Sequence, residues 1–209
     1  LHPLDHPNNR PFMRDLRSWS RVCKRLYVWD YTTNYAHYVL PHPNWFVLDE
    51  NMRLFHAHNV RGVFEEGNCS SPGGELSEMK AWVLAKLMWN PSLDGRALIR
   101  EFLRGYYGLA SAAIARHMRR VHAAALRVKR YAGSAEIRKC LKRRGYPEGR
   151  AGAYLDLNAE PGAPWLTPRV VLDGLADFAE AMRAAAGDPV RRARAAQARL
   201  PLEYCALLR

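Results

Sequence analysis

Leu26-Tyr27-Val28-Trp29-Asp30-Tyr31 and Val60-Arg61-Gly62-Val63-Phe64-Glu65-Glu66 are the two stretches on which the fold turns. Each is a short run of β-branched and aromatic residues that stops at carboxylates, the composition of a strand. Each follows an amphipathic stretch. Phe12–Cys23 opens after Pro11 and carries Phe12, Leu16, Trp19 and Cys23 at helical spacing, and Val47–His58 precedes the second run. Turn-rich loops follow both strands: Thr32–Asn44, with Pro41 and Pro43, and Gly67–Gly74, with Ser70-Ser71-Pro72-Gly73-Gly74. A helix from about Glu75 to Trp89 closes the region. Helix, strand, loop, twice over, is the rhythm of α/β units around a parallel sheet. Two such units cannot close a barrel of eight strands, so in a barrel they would be its last strands.

Beyond residue 100 the texture is helical. Leu93–Tyr107 carries Leu93, Ala97, Leu98, Phe102 and Tyr106 along one face. Ala110–Tyr131 and Ala135–Arg144 are Ala/Arg helices, Pro147–Pro168 is a Pro/Gly-rich loop, and Pro168–Ala186 and Pro189–Leu200 return to helical spacing.

The chain has 209 residues, 48% of them hydrophobic, which excludes a disordered tail. No apolar run of about 18 residues marks a membrane span. The chain starts at Leu1 with no charged-then-apolar leader, and reads as a piece of something longer. Its net charge of +12 is uneven: residues 1–100 hold 12 Lys/Arg against 10 Asp/Glu, and residues 101–209 hold 20 against 10. Such a balance fits a nucleic-acid surface. Yet Arg116–Arg144 interleaves only Tyr131 and sits on no nucleic-acid motif, so solvated helix faces, including Lys142–Arg144, are the expectation, with no nucleic-acid partner. Cys23, Cys69, Cys140 and Cys205 lack metal spacing and read as small buried hydrophobes. His37, His42, His56 and His58 form no metal set and read as mostly surface residues, so neither metal nor cofactor is expected.

Residue types that carry chemistry are densest in Trp29-Asp30-Tyr31-Thr32-Thr33-Asn34-Tyr35-Ala36-His37-Tyr38. A strand that ends in an acid among aromatics suits a sugar, whose C–H faces stack on rings while acids and amides hold hydroxyl or acetamido groups. Ligands of parallel sheets bind at the carboxyl ends of strands, which groups Asp30, Tyr31, Asn34, Tyr35, Glu65 and Glu66 around one expected pocket. Glycoside cleavage needs an acid for the leaving oxygen and a second group at the anomeric centre, roles open to Asp30 and one of the two glutamates. Adjacent strand residues face opposite ways, so only one of Glu65 and Glu66 turns inward. The rival readings are that these acids pair with arginines or cap the helix near Glu75, and that Trp29 is a core residue.

Val28–Tyr35, Pro41-His42-Pro43-Asn44, Gly62–Asn68, Gly73-Gly74-Glu75, Leu84–Pro91 and Phe102–Gly108 resemble one bacterial family. That family was long labelled only a domain of unknown function and is now grouped with endo-β-N-acetylglucosaminidase-type glycoside hydrolases. The resemblance runs from about Asn9 to Tyr107. It implies the C-terminal strands and helices of a (β/α)8 TIM-like barrel over residues 1–108, then a mainly helical region over 109–209. It implies a glycan substrate containing N-acetylglucosamine, substrate-assisted retention without a metal, and a periplasmic or extracellular location. The principal acid pair would lie upstream of Leu1. Here Glu65 and Asp30 are the catalytic candidates, and Trp29, Tyr31, Asn34, Tyr35, Glu66 and Asn68 the substrate-binding ones.

Two other functions are weighed: a carbohydrate-binding or scaffolding module that keeps the aromatic wall without catalysis, and a basic helical module that binds nucleic acid through residues 116–144. An opened barrel would expose a strand edge, so self-association is also expected.

Overall fold

The computed structural model describes residues 2–71, 73–128 and 157–208. Strands β1 (Leu26–Tyr31) and β2 (Val60–Glu66) pair in parallel, with α1 (Arg10–Val22) before β1 and α2 (Leu48–Ala57) between them. Asn59 sets their alignment. It adopts a left-handed backbone with φ of 63°, which asparagine tolerates better than most residues. Its side-chain amide donates to the carbonyls of Ser20 (2.9 Å) and Cys23 (3.3 Å), tying the end of α1 to the start of β2. Its own carbonyl accepts the Leu26 N–H at 2.9 Å. After a bulge between Leu26 and Tyr27 the register runs Val28 to Val63, Trp29 to Phe64, Asp30 to Glu65 and Tyr31 to Glu66.

The sheet has two strands among the described residues, and everything else regular is helical. The expected TIM-like barrel strands and helices of an α/β fold are therefore corrected to one β-α-β unit packed with helices. The physical reason is that the alternation of a pleat and the period of a helix are local signals. They establish that two strands lie side by side, and they are silent on how many more do.

The helices are α3 (Ser77–Trp89), α4 (Gly95–Tyr107), α5 (Ser111–Leu126), α6 (Pro168–Ala184) and α7 (Pro189–Leu207). Asp94, Thr167 and Asp188 cap α4, α6 and α7 by accepting backbone N–H bonds from the first turn. One apolar cluster runs from Met13 to Cys205, with Trp45, Phe55, Tyr107, Trp165 and Phe178 fully enclosed. On α5, Arg116 bonds Asp177 (2.6 Å) and Glu180, and Arg120 bonds Asp173 (3.0 Å) and Asp177 (3.3 Å), all on α6. Two arginines of the basic stretch thus hold helices together. Tyr131, Ala135–Arg144 with Cys140 and Lys142–Arg144, and the loop up to residue 156 lie outside the described residues. Of the other cysteines, Cys205 is buried as expected, Cys23 is half-buried, and Cys69 is exposed.

Gly174 marks where α6 approaches α5 and α7 most closely. A Cβ there would lie 2.7 Å from both His117 Nδ1 and a Leu202 methyl, and both residues are buried. Glycine to alanine inside a helix ordinarily stabilises by about 1 kcal/mol. Here overpacking costs about 1–3 kcal/mol, so Gly174→Ala is expected to lower the melting temperature. A rise would show that α6 can shift to make room.

Candidate functional site

Alternation along β1 and β2 sends Val28, Asp30, Val63 and Glu65 to the covered side of the sheet, and Tyr27, Trp29, Tyr31 and Phe64 to the open side. Asp30 and Glu65 are register partners at the carboxyl ends of the strands, with backbones spaced ~4.8 Å apart. Both carboxyls are pushed up from the ordinary carboxylate range, chiefly by burial. Repulsion from Asp30 adds to the effect on Glu65, which rises to about 8. The Tyr31 N–H donates to Asp30 Oδ1 at 2.8 Å and partly offsets the rise there. Two buried carboxyls side by side disfavour the doubly ionised form.

A cavity of about 130 Å³ opens against this pair, with His42, Asn44, Val47 and Leu48 among its lining residues. Three of its lining residues carry an enclosed side-chain atom with no hydrogen-bond partner: His42 Nδ1, Asn44 Oδ1 and Glu65 Oε1. Burial also drives His42 well below its ordinary range, with the charge of Lys80 adding to that.

A second cavity of about 220 Å³ lies on the other flank of Glu65, lined by Thr32, Thr33, Asn68, Glu75 and Lys80. Lys80 and Glu75 form a fully buried ion pair at 3.1 Å. The Trp45 indole N–H donates to the same Glu75 oxygen at 3.2 Å, and Lys80 donates to the His42 carbonyl at 3.3 Å. Burial raises Glu75 and lowers Lys80, while their mutual attraction opposes both shifts. Leu76, between Glu75 and α3, has a left-handed backbone with φ of 47°, an unfavourable conformation for a branched residue that turns Glu75 back toward Lys80.

Of the residues grouped around one expected pocket, Asp30, Tyr31 and Glu65 line a common cavity. Glu65 and Asp30 line the inner cavity, and Asn68 lines the second, donating to the Ser71 carbonyl at 2.7 Å. Trp29, Tyr35 and Glu66 sit together on the open side, and Tyr31 reaches both that side and the inner cavity. Trp29 donates to Glu66 Oε2 at 2.6 Å, Tyr35 donates to the Glu66 carbonyl at 2.7 Å, and the Tyr31 and Tyr35 rings meet edge to face at 5.3 Å. Asn34 is structural: fully buried, it donates to the Ala159 carbonyl at 2.7 Å and accepts from the N–H groups of Ala36 and His37. His42, Asn44, Glu75 and Lys80 escape the sequence reading. His42, one of four histidines read as mostly surface residues, is buried, in a proline-flanked loop whose carbonyl accepts from Lys80 on α3. Lys80 does carry a signal, since it shares a helical stripe with Leu76, Val83, Leu84 and Leu87, all buried.

Among the described residues no group of three or more His, Cys, Asp or Glu is arranged to hold a metal ion, and no helix is long and apolar enough to cross a membrane. No curated protein and no solved structure matches the chain. One family profile matches residues 1–119, a span that includes both strands and the Asp30–Glu65 pair. With more than half of its length matched, the chain belongs to the family described as "Domain of unknown function (DUF4838)".

Proposed function

We propose that this chain acts in the hydrolysis of glycans containing N-acetylglucosamine, with Glu65 and Asp30 as its acid pair. The observation that carries the reading is the enclosed, side-by-side carboxyl pair in which Glu65 keeps its proton up to about pH 8. A protonated carboxyl beside an ionised one is the division of labour that glycosidic cleavage needs. In the substrate-assisted form, the acetamido oxygen bonds to the anomeric carbon as the glycosidic bond breaks, and Glu65 gives its proton to the leaving oxygen. Asp30, ionised, accepts the acetamido N–H and orients that attack. Water later opens the cyclic intermediate, returning the proton to Glu65. Val47 and Leu48 supply an apolar wall for the acetamido methyl.

A second reading has its own observation. Tyr27, Trp29, Tyr31 and Phe64 are 44–77% exposed on the open side of the sheet, a contiguous aromatic face of the kind that sugars stack on. That face fits a carbohydrate-binding module without catalysis. Self-association through the open strand edges would use the same region, and light scattering at high concentration tests it.

The deciding experiment is hydrolysis of 4-nitrophenyl N-acetyl-β-glucosaminide and of an N-glycan, alongside a binding titration with chitooligosaccharides. Turnover abolished by Asp30→Asn supports the hydrolase. Binding without turnover, abolished by Trp29→Ala, establishes the binding module instead. Neither turnover nor binding overturns both.

A further inference from the structure

Resting on the glycan reading above, we propose that an exposed arginine stripe on α1 holds the charged units of the substrate. The glycan is then an anionic one, in which N-acetylglucosamine alternates with a carboxylate-bearing sugar. Arg10, Arg14, Arg17 and Arg21 are all exposed and recur at i, i+4, i+7 and i+11 along α1. At 3.6 residues a turn they fall within an arc of about 60°, and at 1.5 Å a residue they run for roughly 16 Å. Asp15, 3.3 Å from Arg14, is the one carboxylate that pairs with any of the four among the described residues. On α5, by contrast, Arg116 and Arg120 are held by Asp173, Asp177 and Glu180 of α6. Like charges four residues apart repel, as Arg10 does Arg14 and Arg17 does Arg21. Arg10 also lies in the first turn, where the helix dipole disfavours a cation, and no acidic residue offsets it there. The stripe therefore costs the helix stability, and an anion laid along it removes that cost.

The stripe leads to the candidate site. Asn9, the residue before Arg10, lines the Asp30–Glu65 cavity. Arg10, Arg14 and Arg17 line an open hollow of about 490 Å³, with Asp5 as its one acidic lining residue. A glycan with an N-acetylglucosamine unit in the cavity thus has a route for its neighbouring units past Asn9 and over the arginines. The planar guanidinium fork matches a sugar carboxylate with two N–H donors to two oxygens.

Two other anionic partners fit less well. A helix lying on a membrane inserts a free apolar face, but the apolar face of α1 is already used. Met13 and Leu16 are buried, and Phe12 meets Phe55 edge to face at 6.3 Å. Single-stranded nucleic acid stacks its bases on rings set among the cations. Phe12 and Trp19 lie about half a turn away from the arginines, so the stripe itself offers no ring.

Titrations with a hyaluronan hexasaccharide, in which N-acetylglucosamine alternates with glucuronate, and with chitohexaose, its neutral counterpart, test the stripe. Hyaluronan is expected to bind more tightly, with an advantage that shrinks as salt rises. Arg14→Gln with Arg17→Gln is expected to weaken hyaluronan binding by about threefold to thirtyfold and to leave chitohexaose binding and the melting temperature unchanged. Arg14→Lys with Arg17→Lys keeps the charge and is expected to keep the salt-dependent preference.

Equal affinity of the unaltered chain for the two hexasaccharides, or equal hyaluronan affinity in the glutamine variant and the unaltered chain, would overturn the inference. So would tighter binding of single-stranded DNA or of phosphatidylglycerol vesicles through the same arginines. Hyaluronan binding that depends on the stripe, without turnover of any N-acetylglucosaminide, would leave the inference standing and remove the hydrolase reading alone. Turnover of chitohexaose with no binding of hyaluronan would keep the hydrolase reading and remove this inference alone.

Discussion

Glu65→Gln is expected to cut hydrolysis of an N-acetylglucosaminide by about 10²–10⁴-fold, the usual contribution of a positioned general acid, and at the same time to make the protein more stable at pH 8. The two effects share one cause. The Glu65 carboxyl is raised to about 8 by burial and by Asp30, whereas in the unfolded chain it titrates near its ordinary 4.5. Between those values the folded protein holds a proton that the unfolded chain has released. Stability contributed by that proton is complete below about 4.5 and is lost as pH rises through about 8. Glutamine keeps the neutral shape and has nothing to release, so the melting temperature of the variant should stay flat where that of the unaltered chain declines.

Activity should follow the same group. Because the acid form is the working form, turnover is expected to fall as pH rises past about 8. Asp30→Asn removes the repulsion that helps to hold Glu65 up, so any residual turnover should show its alkaline limb at lower pH. Melting curves from pH 5 to 9 and rate profiles over the same range check both. A Glu65→Gln variant that turns over normally, or that is less stable than the parent at pH 8, would sink the assignment.

Much of this architecture is legible in the sequence, and what is not has identifiable causes. The runs Leu26–Tyr31 and Val60–Glu66 coincide with β1 and β2, and Phe12–Cys23, Val47–His58 and Leu93–Tyr107 fall within a few residues of α1, α2 and α4. Alternation and helical period are local properties, and these segments carry them without interruption. The barrel expectation fails because strand number is not a local property. Asp30 and Glu65 are found because acids at the ends of strands are conspicuous. Tyr31 lines the same cavity as Asp30 and Glu65, while Tyr35 lies with Glu66 on the other side, as one step along a strand changes the face. The same pleat rule that admits only one of Glu65 and Glu66 also separates Asp30 from its neighbour Trp29. His42 is hidden for another reason: it is buried among residues distant in sequence, its carbonyl bonded to a lysine 38 residues away, and no spacing rule reaches that far.

Trp45→Ala is expected to be among the most damaging core substitutions, and Trp45→Phe to separate its two jobs. The indole is 1% exposed and packs edge to face against Phe46 at 6.2 Å, so truncation leaves a large void costing about 3–5 kcal/mol. For a domain of this size that corresponds to a fall in melting temperature of roughly 10 °C, a large part of a typical total stability of about 5–15 kcal/mol. Phenylalanine keeps most of the volume but loses the N–H that donates to Glu75 Oε2 at 3.2 Å. Losing a hydrogen bond to a buried charged group costs about 1.5–3 kcal/mol. It also loosens Glu75, whose carboxylate holds Lys80 beside the second cavity. Trp45→Phe should therefore melt only a few degrees lower, yet bind sugar more weakly than that modest loss suggests. Thermal melts and sugar titrations on the two variants decide between the roles. If Trp45→Phe keeps full sugar affinity, Trp45 is packing alone, and the chain of contacts from the core to the cavity ends at Glu75.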